Sequence, residues 1–197
     1  MRGGSEQSTV NGNIHTGNCL LFTLPRRGLV QVYTGNGKGK TTAAWGLALR
    51  AVGAGQKVAV VQFLKPQESS EVKAAKSIPN LSIYGKSRPY DVRLDQRESA
   101  ELREDSRRDF GIASVLIASG DYDMVVLDEI NIVLEYGFVT CEEMLDVLRN
   151  RPDHTEVVLT GRYAPNRLIE AADLVTEMKE IKHPANGGVQ ARKGIEF

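Results

Sequence analysis

An α/β fold, a mostly parallel sheet with helices on both faces, is predicted by three observations. Short apolar runs alternate with helical stretches almost without interruption from residue 28 onward. Several runs, VAVVQF at 58–63 and MVVL at 124–127 among them, are largely apolar rather than alternating, which marks strands covered on both sides. At 197 residues and 41% apolar content, the chain can bury one sizeable core.

Residues 1–27 differ from the rest. Gly3, Gly4, Gly12 and Gly17 mix with Ser, Asn and Thr, and neither the helical nor the strand period appears, so a flexible leader is expected there. A single folded domain is expected over 28–197. It opens with a strand at 29–33 (LVQVY), a Gly-rich turn and a helix at about 40–52, stopped by Gly53 and Gly55. Strands follow at 58–63 and, more weakly, at 81–84. A long helix is predicted at about 96–118; the charges of its first half (Glu98, Glu101, Arg103, Glu104, Asp105) suit a solvated face. Three more strands, 124–127, 157–159 and 174–176, are separated by helices near 141–149 and 166–172. In such a sheet, ligands are held at the carboxyl ends of the strands.

Lys plus Arg balance Asp plus Glu at 25 each, so no global field steers the chain toward nucleic acid or an anionic membrane. Cys19 and Cys141 form no CxxC pair and are read as free thiols in a reducing compartment. The early apolar run at 19–24 is too short for a membrane span or a signal peptide. A cytoplasmic protein is expected. His15, His154 and His183 show no ligand spacing, and no zinc site is assigned.

The first strand-to-helix turn reads Thr34-Gly35-Asn36-Gly37-Lys38-Gly39-Lys40-Thr41-Thr42. Glycines at 35, 37 and 39 permit dihedrals that turn successive N–H groups inward and let phosphate oxygens approach. The helix N-terminus adds free donors and partial positive charge. Lys40 supplies a point charge to the phosphates and Thr41 a hydroxyl for Mg²⁺. This is a phosphate-binding loop, and it refines the fold to a P-loop NTPase-type, RecA-like sheet. In the common G-x-x-x-x-G-K-T pattern the first glycine would stand at position 34, which here is Thr34. Trp45, in the helix that leaves the loop, is read as core packing.

The strand at 124–127 ends in Asp128 and Glu129, where a P-loop protein places its metal-organising or water-activating carboxylate. Continued as strand, the two would point to opposite sides, one toward the metal's shell and one lining the site. Arg162, at the exit of another strand (VLTGR), is placed to reach phosphates bidentately, though a plain surface arginine suits the position almost as well.

Together with that loop, the strings LALRAVG (47–53), VVQFLK (60–65), DMVVLDE (123–129), TGR (160–162) and KH…GGVQARKGIEF (182–197) resemble, in order, the ATP:corrinoid adenosyltransferases. These are the P-loop cob(I)alamin and cob(I)yrinic acid a,c-diamide adenosyltransferases, and the likeness covers about 28–197. It implies transfer of the 5′-deoxyadenosyl group of ATP to Co(I) of a corrinoid, with release of triphosphate, in cobalamin biosynthesis or salvage. Lys40 and Glu129 would be the catalytic pair, residues 34–42 with Arg162 the nucleotide site, and Thr41, Asp128 and Glu129 the Mg²⁺ set. The resemblance further implies a reductant, a flavoprotein being one option, and a homodimer. Members run the triphosphate through the loop in the opposite sense to ordinary P-loop NTPases, which Thr34 accommodates. Where the family has a Phe-x-Trp pair before the long helix, this chain has Lys86-Ser87-Arg88-Pro89-Tyr90, so Tyr90 is expected beside the corrin. Residues 1–27 do not resemble the charged N-terminal helix that lids the site in many members. Two rivals share the loop: an NTPase or phosphotransferase that releases ADP, and a corrinoid-binding protein that nucleotide merely gates.

Overall fold

The computed structural model describes residues 27–65, 69–85 and 96–196; the predicted leader up to residue 26 and Tyr90 lie outside them. Six strands, β1 (Val30–Thr34), β2 (Val58–Gln62), β3 (Leu81–Tyr84), β4 (Met124–Asp128), β5 (Glu156–Thr160) and β6 (Leu174–Glu177), form one sheet in the order β3-β2-β4-β5-β1-β6. Every pairing is parallel, for example Val60 beside Val126, Val126 beside Val158, and Val32 beside Leu159 and Val175. The P-loop-type α/β architecture expected from the apolar runs is therefore present.

Burial on both faces explains those runs. Alternate strand residues feed opposite cores: Ala59, Val61, Val125, Leu127, Val157 and Leu159 enter the larger cluster, while Val58, Val60, Met124, Val126 and Val158 enter the smaller. The smaller core is closed by α1 (Lys40–Gly53), whose Ala44, Ala48 and Ala51 let the helix lie close over β4 and β5. The larger one lies under α3 (Gln96–Ser119), α4 (Ile130–Glu135), α5 (Cys141–Arg149) and α6 (Asn166–Ala171).

Two helices of six residues, α2 (Ser70–Ala75) and α4, go beyond the expected elements. The parallel order carries the chain from β1 across the sheet to β2, so the exits of β1, β5, β4 and β2 converge along one carboxyl edge. Three of these exits contain a non-glycine residue in the left-handed region: Leu64 (φ 55) after β2, Glu129 (φ 69) after β4 and Tyr163 (φ 59) after β5. Such residues are uncommon, and strain concentrated at one edge is a marker of function.

Candidate active site

β1 ends in Thr34, and the loop turns into α1 with Gly39 (φ 121) at the N-cap and no side chain capping the first turn. The first-turn N–H donors are thus not occupied by a side-chain cap. Lys40 is 7% exposed, and its ammonium curls back to donate to Gly35 O and Gly37 O, each at 2.7 Å. Burial pushes its pKa down; Glu129 opposes that shift, while Arg162 and Lys65 add to it.

The glycines serve a purpose beyond admitting phosphate. Met178, just after β6, receives the Gly37 N–H on its carbonyl at 2.6 Å and donates its own N–H to Thr34 O at 2.8 Å. A Cβ at Gly35 would lie 2.5 Å from Met178 O, and one at Gly37 would lie 2.7 Å from it. Close backbone approach of the β6 extension therefore requires glycine at both positions. The expectation that these glycines all point free N–H groups at phosphate is corrected accordingly, since Gly37 N–H is committed to Met178.

Asp128 is fully buried and saturated. Its Oδ1 accepts from Thr41 Oγ1 (3.0 Å) and Thr160 Oγ1 (2.7 Å), and its Oδ2 accepts from Lys65 Nζ (2.8 Å) and Gln62 Nε2 (3.4 Å). Glu129 does not continue the strand. Its left-handed backbone, steadied by its N–H donating to Thr160 Oγ1 at 3.0 Å, brings its carboxylate to the same side as that of Asp128. Both reach Lys65, Asp128 at 2.8 Å and Glu129 at 3.5 Å, so the expected opposition of the two carboxylates is corrected.

Lys65 was not among the residues singled out from the sequence. Its ammonium donates to Thr41 Oγ1 at 2.6 Å as well as to Asp128. Burial pulls its pKa down, but Asp128 and Glu129, with a smaller share from Glu71, outweigh burial and hold it above the usual lysine value. The available signal was the lysine that closes VVQFLK, at a strand exit on the sheet's carboxyl edge.

A cavity of about 1330 Å³ opens over this edge. Among the described residues its wall includes the loop from Asn36 to Thr42, then Lys65, Glu129 and Arg162. Thr34 and Gly35, expected to hold nucleotide, stand behind the wall; Thr34 Oγ1 instead accepts from Ala164 N at 3.3 Å. Asp128 is behind the wall too and meets the cavity through Thr41 and Lys65. The wall also carries apolar and aromatic side chains, Trp45, Leu64, Ile132, Tyr136 and Tyr163. Trp45 also packs on the smaller core, as expected. The C-terminal segment closes one side: Lys38 Nζ donates to Ile195 O at 3.1 Å and to Glu196 Oε1 at 3.0 Å. Among the described residues no helix is long and apolar enough to cross a membrane.

The model of the family ATP:corrinoid adenosyltransferase BtuR/CobO/CobP matches residues 26–197. The chain belongs to this family. Relatives include corrinoid adenosyltransferases of Pseudomonas aeruginosa, 39% identical over 87% of this chain and 84% of theirs, and of Escherichia coli K12, 36% identical over 87% and 86%. The corrinoid adenosyltransferase CobA of Salmonella typhimurium is 36% identical over 87% of this chain and 86% of its own. Membership of the ATP:corrinoid adenosyltransferases accounts for an ATP-dependent transferase with a phosphate loop in the wall of a large cavity.

Proposed function

We propose that the cavity seats ATP with its triphosphate along residues 36–42 and a corrinoid against the aromatic side chains of its wall. The 5′-deoxyadenosyl group then passes to cobalt in its Co(I) state, and the whole triphosphate departs. One observation carries this reading: one cavity is lined both by the cationic phosphate loop and by large apolar and aromatic side chains. Its volume of about 1330 Å³ exceeds the roughly 300–1,000 Å³ that suits one small ligand.

Cobalt supplies the electron pair that forms the Co–C5′ bond, and the C5′–O bond breaks with its pair leaving on the triphosphate. No proton has to move, so the chain's work is positioning and charge. Lys40 exchanges the carbonyls of Gly35 and Gly37 for phosphate oxygens, and Arg162 and Lys38 add charge from the rim. Thr41 and Glu129 present hard oxygens suited to Mg²⁺, with a cation, the Lys65 ammonium, already among them. Mg²⁺ held there would supply further positive charge to the leaving group. Asp128, saturated by four donors, orients Thr41 rather than ligating. The family resemblance also supports a cytoplasmic homodimer served by a reductant such as a flavoprotein; light scattering that finds only monomer would remove the dimer.

Phosphorus NMR of a reaction containing MgATP and chemically reduced corrinoid tests the reaction itself. Triphosphate should appear mole for mole with adenosylated corrinoid. ADP accumulating without corrinoid would replace this reading with an ordinary NTPase.

A further inference from the structure

We propose that Lys65 is the resident cation of the nucleotide-free site and the gate for metal entry: its ammonium holds the place of a divalent ion until nucleotide draws it away. The inference rests on the reading of Thr41 and Glu129 as the metal-binding pair. Lys65 Nζ donates to Thr41 Oγ1 at 2.6 Å and to Asp128 Oδ2 at 2.8 Å, and pairs with Glu129 Oε1 at 3.5 Å, so its charge sits among three oxygens. Thr41 donates its own proton to Asp128 Oδ1 at 3.0 Å and accepts from Lys65 on one of the two lone pairs of its oxygen. A metal reaching for the other lone pair must share the oxygen with the Lys65 ammonium and meets its positive charge at close range.

Two further features favour exclusion of a lone metal. Among the described residues no group of three His, Cys, Asp or Glu converges to hold an ion. A divalent ion here would have few protein ligands, and Mg²⁺ gives up its water reluctantly unless phosphates take part. Nucleotide alters both terms. Its phosphates offer the missing ligands, and they offer the lysine, on its flexible four-carbon stem, a new anionic partner. The preceding residue, Leu64, is held in the left-handed conformation (φ 55). Lys65 thus belongs to two states, counter-ion to the carboxylates without nucleotide and counter-ion to the triphosphate with it.

Mn²⁺ serves as the probe, with free ion read by electron paramagnetic resonance. Wild-type protein without nucleotide should take up Mn²⁺ about tenfold or more weakly than Lys65→Met, since removal of a competing unit charge beside the carboxylates favours the ion. With ATP present, both should bind it. Equal nucleotide-free affinity of wild type and Lys65→Met overturns the gate alone; no uptake by wild type even with ATP overturns the metal reading and the gate together. A second readout needs no loss of the lysine. The ¹⁵Nζ resonance of Lys65 in wild-type protein, assigned with Lys65→Arg, should stay fixed on adding Mg²⁺ alone and move on adding MgATP. Movement with Mg²⁺ alone, or none with MgATP, overturns the proposal.

Discussion

Lys40 holds two loop carbonyls at 2.7 Å, a position from which it can pass to phosphate oxygens with little movement of the main chain. Lys40→Ala should lower kcat by roughly 10- to 150-fold, the equivalent of one charge-assisted contact of about 1.5–3 kcal/mol, and leave the corrinoid KM nearly unchanged. Steady-state kinetics with both substrates varied would show it; near-wild-type turnover would remove the loop lysine from the mechanism. The two carboxylates should behave differently. Glu129→Gln raises the Mg²⁺ concentration needed for half-maximal rate and barely changes stability, because its carboxylate is partly exposed at the cavity wall. Asp128→Asn also destabilises the fold, by about 1–3 kcal/mol, since it weakens four contacts at once, two of them buried, and strips Lys65 of its closest charge partner. Equal melting temperatures for the two variants would contradict this division. Lys40, Thr41 and the Asp128-Glu129 pair were legible because their spacing and strand context form a local pattern. Lys65 was not, because its partners lie 24 and 63 residues away and meet only through the parallel strand order.

Among the elements, α5 shows a local rule at work. Thr140 caps it through a reciprocal box: Glu143 N donates to Thr140 Oγ1 at 3.2 Å, and Thr140 N donates to Glu143 Oε2 at 2.8 Å. The Thr140 backbone N–H, then its hydroxyl, then Arg107 hold the Glu143 carboxyl at about 2, below its ordinary 4.5. A depressed acid stabilises the fold when ionised. Its contribution is therefore complete above about pH 4.5 and is lost as pH falls toward 2. Thr140→Ala should cost about 1 kcal/mol near neutral pH and progressively less on acidification. Urea titrations of both proteins between those limits would test this, and a difference that does not change with pH would refute it. β2, β4 and β5 were legible to within about a residue because burial on both faces leaves long apolar runs. The short helix α4 was hidden: the six residues INIVLE are too few to establish a helical period, and its left-handed N-cap is Glu129 rather than a glycine. Glycines 35 and 37 were read through phosphate alone, since no local pattern announces that Met178 will lie against them.

For the whole molecule, the class of fold followed from alternation of strand and helix, but the strand order did not. β1 lies between β5 and β6, the two strands made last, and nothing in the first forty residues requires that. Saturating MgATP, at about 100 times its Kd, should stabilise the protein by about 2.7 kcal/mol and raise Tm by roughly 5–10 °C for a chain of this size. An unchanged melting curve would argue against a preformed nucleotide site. The loop's dependence on late residues also bears on protein synthesis. Asn36 to Thr42 emerge from the ribosome early, yet Met178, which braces Gly37, and Glu196, which holds Lys38, are translated long afterwards. A ribosome stalled before residue 174 would display the entire loop and most of the sheet, and ATP should still give that nascent chain no protection from protease. Protection should appear only once Glu196 has cleared the exit tunnel. Nucleotide thereby discriminates truncated translation products from chains elongated past that point, and a cell rich in ATP would stabilise the latter while leaving the former to degradation.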